Sequence, residues 1–267
     1  MKPRVYLPVV VLGLGLPVAA VAPSLLDPST VAAAGVPRSD DDPLEIFEQA
    51  LGQGVVGKAL VAKPITDTAT YTPMHEGDKA FLGTSGDKRG KTVVQKLNKL
   101  EKKPNRWAWS LSSGYTSYIE RTSDGSVQLL YDQDSDQGIV SRYDPPQPLL
   151  MAGMKPGETR KIDIGVKVYD LEKPTDLEHE GSLELEYTYL GAWEVTVPAG
   201  TFECIAIKWD FEGKVGPAKV QDTQFRLAAP GVGIVASMEK KHVSAFLVYQ
   251  DKEQYGMVLK DKPDGAR

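Results

Sequence analysis

Beyond Lys63 apolar and polar positions alternate in short runs, and the runs are separated by residues that favour turns. Trp107 and Trp109 share one face of a strand, Ser112-Ser113-Gly114 turns it, and a second strand runs through Tyr118 to Arg121. Ser123-Asp124-Gly125 makes the next turn, with a return strand from Val127 to Tyr131. Leu183, Leu185, Tyr187 and Tyr189 alternate with Glu184, Glu186 and Thr188, which predicts a strand with one buried and one wet face. Two segments are apolar on both sides. In one, Ile205, Ile207, Trp209 and Phe211 oppose Phe202, Cys204 and Ala206; in the other, Ala245, Leu247 and Tyr249 oppose Phe246 and Val248. Strands of that kind need cover on two faces, so the expected fold is mainly β: an antiparallel curved sheet or half-barrel or barrel, with a short N-terminal helix.

That helix is expected inside a linker over 35–63. Asp42 caps it, Pro43 takes its first position, Leu44, Phe47 and Leu51 form its apolar stripe, and Gly52 ends it. Lys91 to Lys103 fits two patterns equally: Val93, Val94, Leu97 and Leu100 stand at helical spacing, yet strands flank them. Its lysines, with Lys88 and Arg89, read as a solvated face.

At the amino terminus Lys2 and Arg4 precede a run from Val5 to Ala22 that is apolar apart from Gly, Pro and Tyr6. Pro8, Pro17 and Pro23 interrupt it, so it reads as a signal peptide (1–34), cleaved after Ala32-Ala33-Ala34, rather than as a membrane span. Cleavage removes Lys2, Arg4 and Asp27 and leaves the mature chain one unit more negative than the whole. The remainder, 64–267, forms one β domain outside the cytoplasm, periplasmic or secreted.

The 267 residues carry a net charge of -5, which removes the basic footprint that nucleic-acid binding requires. The single cysteine, Cys204, allows no internal disulfide and is expected to be buried as a small hydrophobe. His75, His179 and His242 lack metal-ligand spacing. Asp132, Asp134 and Asp136 alternate as in the front half of a calcium loop, but Gln137 stands where that loop needs Gly and Tyr143 where it needs Glu. Gly231-x-Gly233-x-x-Ala236 reads as a turn leading into a strand, because only 31 residues follow Ala236 and a dinucleotide fold needs more. No nucleophile motif is present, so no catalytic residue, metal or cofactor is expected and the chain is not read as an enzyme.

The most distinctive stretch is Gly191-Ala192-Trp193-Glu194-Val195-Thr196-Val197-Pro198-Ala199-Gly200-Thr201-Phe202-Glu203-Cys204: a strand, a tight Pro-Ala-Gly turn and an immediate return strand. With Pro156-Gly157-Glu158-Thr159 upstream and Ala229-Pro230-Gly231-Val232-Gly233-Ile234-Val235 downstream, the chain resembles the TapB-like family of exported bacterial proteins, related to domain of unknown function 3108, over roughly residues 68 to 260. The resemblance implies a curved antiparallel sheet or half-barrel outside the cytoplasm and no catalytic residues. It gives Pro198, Gly200, Phe202 and Gly231 the role of fold determinants.

The expected function is that of a non-catalytic envelope protein whose concave sheet shelters an apolar small molecule, a lipid or a partner segment. Trp193, Trp209, Phe211, Tyr187 and Tyr189 are the candidate ligand-binding residues. The alternatives are a structural or assembly factor acting through envelope protein partners, by an edge strand or by the basic segment, and a hydrolase built from carboxylates brought together across strands.

Overall fold

The computed structural model describes residues 43–245 and 249–261. The expected signal peptide, the first part of the linker with Asp42, and residues 246–248 lie outside these. Helix α1 (Pro43–Leu51) is followed by strand β1 (Val56–Leu60) and the short helix α2 (Thr68–Tyr71). The remaining strands are β2 (Gly77–Gly86), β3 (Thr92–Lys99), β4 (Arg106–Leu111), β5 (Tyr115–Arg121), β6 (Val127–Asp134), β7 (Ile139–Leu150), β8 (Thr159–Asp170), β9 (Leu177–Val197), β10 (Gly200–Val215), β11 (Ala218–Ala229), β12 (Gly233–Ala245) and β13 (Tyr249–Leu259).

Every pairing is antiparallel, and each strand from β2 to β12 pairs with the next in sequence; β13 pairs back onto β2. The result is a closed antiparallel barrel of twelve strands. Strand β9 is long enough to hold two neighbours on one edge, β8 along Leu177–Thr188 and β1 along Ala192–Val195. The linker expected over 35–63 therefore holds a strand as well as the helix. The segment from Lys91 onward resolves as strand β3, paired to both β2 and β4. There Val93 and Gln95 are buried by alternation, and tertiary pairing overrides the helical spacing. The strand expected through Val243 to Tyr249 is instead two: β12 ends at Ala245, which pairs with Tyr249 at the start of β13.

Residues paired across an antiparallel ladder share a face, so the register tells inside from outside. Trp209 pairs with Tyr187 and Gln224, Phe211 with Leu185 and Asp222, and Ile207 with Tyr189 and Arg226; all of these face inward. On the outer face Lys161 pairs with Glu186 at 2.6 Å, Lys208 with Asp210 at 2.6 Å and Lys219 with Glu212 at 3.7 Å. A bilayer-crossing barrel turns an apolar band outward; β8 to β11 turn ion pairs outward.

The exception to the wet exterior lies under α1. Leu190 is an extra residue opposite the Ala206/Ile207 step, a bulge at which Gly191 takes φ 142. Beyond it the odd positions of β9 change sides, so Trp193 pairs with Cys204 on the outer face while Tyr187 and Tyr189 remain inside. Phe47 of α1 meets the edges of Trp193 and Phe225, each at 5.7 Å, and Ala50 and Leu51 complete the cover. Aromatic contacts of this geometry add about 0.5–1.5 kcal/mol each beyond area burial. Cys204 is buried in this outer layer, where desolvation pushes its thiol up to about 12, so it packs as an inert small hydrophobe.

Candidate functional site

The lumen has two parts. In the first, the inner faces of β11, β12 and β13 carry cross-strand rows of polar side chains: Asp222, Lys241 and Glu253 in one row, Gln224, Glu239 and Tyr255 in the next. Lys241 Nζ lies 3.0 Å from Glu253 Oε2, and the Tyr255 hydroxyl donates to Glu239 Oε2 at 2.8 Å. Gln224 Nε2 donates to Asp222 Oδ2 at 2.6 Å, and Arg226 Nη2 donates to Gln224 Oε1 at 2.9 Å. Across the lumen, Asp132 accepts from Ser117 at 2.6 Å and from the Tyr143 hydroxyl at 2.8 Å.

Acids outnumber bases in this ladder. Burial raises Asp222 to about 7 against the pull of Lys241, and burial together with the Asp222 charge holds Glu239 well above the carboxylate range. Burial would lower Lys241, but Glu239, Glu253 and Asp222 outweigh it and raise its pKa. A void of about 10 Å³ adjoins Gln95, Ser237 and Glu239, whose Oε1, Oγ and Oε1 atoms lack a protein partner; it has the size and lining of a single-water site.

The second part is an open cavity of about 260 Å³ at the barrel mouth. Its wall is largely apolar: Leu97 of β3, Trp109 of β4, Ile119 of β5, Val127 of β6, Leu149 and Leu150 of β7, Ile207 and Trp209 of β10, and Ala228 of β11. Deep inside, the Arg226 guanidinium lies 4.6 Å over the Trp209 ring, whose indole N–H is held by Pro148 O at 2.8 Å. The rim is the segment 71–79 together with the β11–β12 turn at Gly231 and Val232.

Hydrogen bonds hold that rim in place. Asp67 caps α2 by accepting from Ala69 N, Gly231 N donates to Thr70 O at 2.7 Å, and Arg121 Nη2 donates to Thr72 O at 2.9 Å. Lys79 faces inward beside Gln95 and donates to Val232 O at 2.5 Å. Desolvation lowers its ammonium to about 8.

Of the five candidate residues, Trp209 lines this cavity. Tyr187 meets Trp209 edge-on at 5.4 Å and, like Phe211, is enclosed in the filled lumen. Tyr189 is also enclosed and donates to Lys63 O at 3.0 Å. Trp193 is separated from them by the bulge at Leu190 and packs under α1. The alternating aspartates do not form a loop cage: Asp132 is bonded inside the lumen, and Asp134 accepts from the backbone of Asp136 and Gln137. Among the described residues no group of three His, Cys, Asp or Glu is placed to hold a metal ion, and no helix is long and apolar enough to cross a membrane.

Sequence reasoning passed over Lys79 and Arg226. The available signal was a lone Arg in the apolar run Phe225-Arg226-Leu227-Ala228-Ala229, two and four residues after Gln224 and Asp222, which are also polar. Lys79 gave less: a lysine two positions before Phe81 is ordinarily assigned to the wet face.

No curated protein matches the chain. Among solved structures, a chain from Bacteroides fragilis NCTC 9343 described as an exported protein with a YmcC-like fold is 15% identical, with a TM-score of 0.40. A chain from Parabacteroides distasonis ATCC 8503 described as a lipoprotein is 12% identical, with a TM-score of 0.34. Each match covers 78% of this chain and 100% of the other. A DUF3108-like family model matches residues 189–242, from the end of the β9 aromatic row through β10 and β11 into β12. This matched segment, which holds both the Pro198-Ala199-Gly200 hairpin and the Gly231-x-Gly233 turn, is where the chain is similar to the DUF3108-like family.

Proposed function

We propose that the protein is an exported, non-catalytic binding protein that holds a small apolar molecule in the mouth of its barrel. The observation that carries this reading is the cavity of about 260 Å³, apolar along its walls and open to solvent, in a barrel whose remaining lumen is filled. Export rests on the amino-terminal pattern of Lys2, Arg4, an apolar run and Ala32-Ala33-Ala34. No catalytic step is assigned: Asp222, Glu239, Asp251 and Glu253 converge in the closed lumen, and none of them lines the cavity.

Native mass spectrometry of the mature protein, purified under mild conditions from its own cell envelope, tests the reading. The expected result is a stoichiometric adduct that is lost on denaturation and identified as an apolar molecule. A bare mass, together with failure to take up any added apolar compound, overturns it.

A second reading, action through protein partners, draws on β1. This strand ends the strand order, so one of its edges has no strand neighbour among the described residues, and Val61 just beyond it is 93% exposed.

A further inference from the structure

The two cations inside the cavity stand in different environments. Arg226 is part of the polar ladder, donating to Gln224 and stacked on Trp209. Lys79 is half-buried against the apolar wall, and its bond goes to a neutral acceptor, the Val232 carbonyl. Burial lowers its pKa with no opposing pull from a carboxylate among the described residues. Glu76 and Asp78 also border the cavity, but on its exposed rim. Glu76 accepts from Lys99 N at 3.0 Å, and neither carboxylate forms an ion pair with Lys79.

A desolvated ammonium without a counter-charge is costly, and a protein that only needed a filled wall would place an apolar residue there. Nearby geometry keeps room for this group. Gly233 has φ 82, and a Cβ at that position would lie 3.1 Å from Lys79 Nζ. An ammonium has three donors, and the Val232 carbonyl takes one.

Building on the binding function proposed above, we infer that the ligand is an amphiphile with a carboxylate end, its acid group on the Lys79 ammonium and its chain running inward along Leu97, Ile207 and Trp209. The cavity volume bounds the chain. About 10–15 Å³ in this measure suffices for one water, so about 260 Å³ has room for a chain of eight carbons. The bound acid supplies the counter-charge that Lys79 does not find among the described residues, and a charge-assisted bond in this dry setting is stronger than a neutral one.

The test is a comparison of sodium octanoate with 1-octanol, followed by tryptophan fluorescence, since Trp109 and Trp209 both line the cavity. The mature protein is expected to bind octanoate at least about tenfold more tightly than octanol, a margin of about 1.4 kcal/mol. Lys79→Met is expected to abolish the preference by weakening octanoate at least about tenfold more than octanol, and Lys79→Arg is expected to retain it. Octanol binding retained by Lys79→Met also shows that its cavity is still folded. Equal binding of the two compounds by the unmodified protein overturns the acid assignment and leaves the cavity reading standing. Binding of neither compound overturns the amphiphile assignment, the cavity reading being decided by the native-envelope adduct, and a preference that survives in Lys79→Met overturns the role of Lys79.

Discussion

The inner faces of β11 and β12 change character along their length. Around Asp222, Gln224, Glu239 and Lys241 the space is filled, and polar side chains answer one another across the strands. Two to five residues away, at Arg226, Ala228 and Ile234, the same strands border an open apolar cavity. The first region consists of charges that are costly to bury but mutually bonded; the second leaves volume unfilled and a cation against apolar wall. A twelve-strand barrel is wide, and its interior must be filled by side chains or left open to a ligand. Here the ladder fills one part, and the mouth stays open.

The largest effect is expected from breaking the ladder. Lys241 is 1% exposed and offsets Glu253, Glu239 and Asp222 together. Removing one partner from a buried pair strands the other charges, at a cost of about 3–5 kcal/mol. Lys241→Met should therefore lower the unfolding free energy by that order in urea titrations, while octanol binding per folded molecule stays the same. A loss below about 1 kcal/mol would mean that the neighbouring acids are neutral without it, and the ladder would not be ionic.

Next in size is a pH effect. The Asp222 carboxyl titrates at 3.8 in the unfolded reference and at about 7 in the folded protein, with burial as the main cause. Between those values the folded state holds a proton that the unfolded chain has released. The stability this group contributes is full below about pH 4 and is lost as pH rises toward 7, by at most about 1.4 kcal/mol per pH unit. Asp222→Asn should flatten that part of the curve in denaturation measured from pH 4 to 8. An unchanged slope would assign the pH dependence to Glu239 or Asp251, whose pKa values burial also raises.

Much of this architecture was legible in the chain. The alternation of Leu183 to Tyr189 appears as read, burial is two-sided from Cys204 to Ile207 and one-sided from there to Phe211, and α1 ends where Gly52 marks it. The site was less legible because period-two counting continues through a bulge it cannot see. Trp193 has the parity of Tyr187 and Tyr189, but the extra Leu190 puts it on the other face. Burial of an aromatic also does not say whether it lines a filled core or a cavity, which is why Trp209 and Phe211, two residues apart on one face, differ in role. Lys79 and Arg226 escape for the converse reason: a charge on a strand is ordinarily assigned to water, and only closure of the barrel turns these two inward.

The smallest expected change in stability comes from filling the mouth, and it separates space from charge. Ala228 is inward-facing, lies on the cavity wall and belongs to no polar row. Leu at this position adds three carbons to a wall that borders about 260 Å³ of open space. Overpacking costs about 1–3 kcal/mol where no room exists and much less where it does, so Ala228→Leu should change the unfolding free energy by less than about 1 kcal/mol. Octanoate and octanol should both bind at least about tenfold more weakly, because the chain has lost its volume whatever its head group. This differs from Lys79→Met, which acts chiefly on the acid. A destabilisation above about 3 kcal/mol would show that the wall at Ala228 is already packed, and the contrast between a filled lumen and an open mouth would then fail.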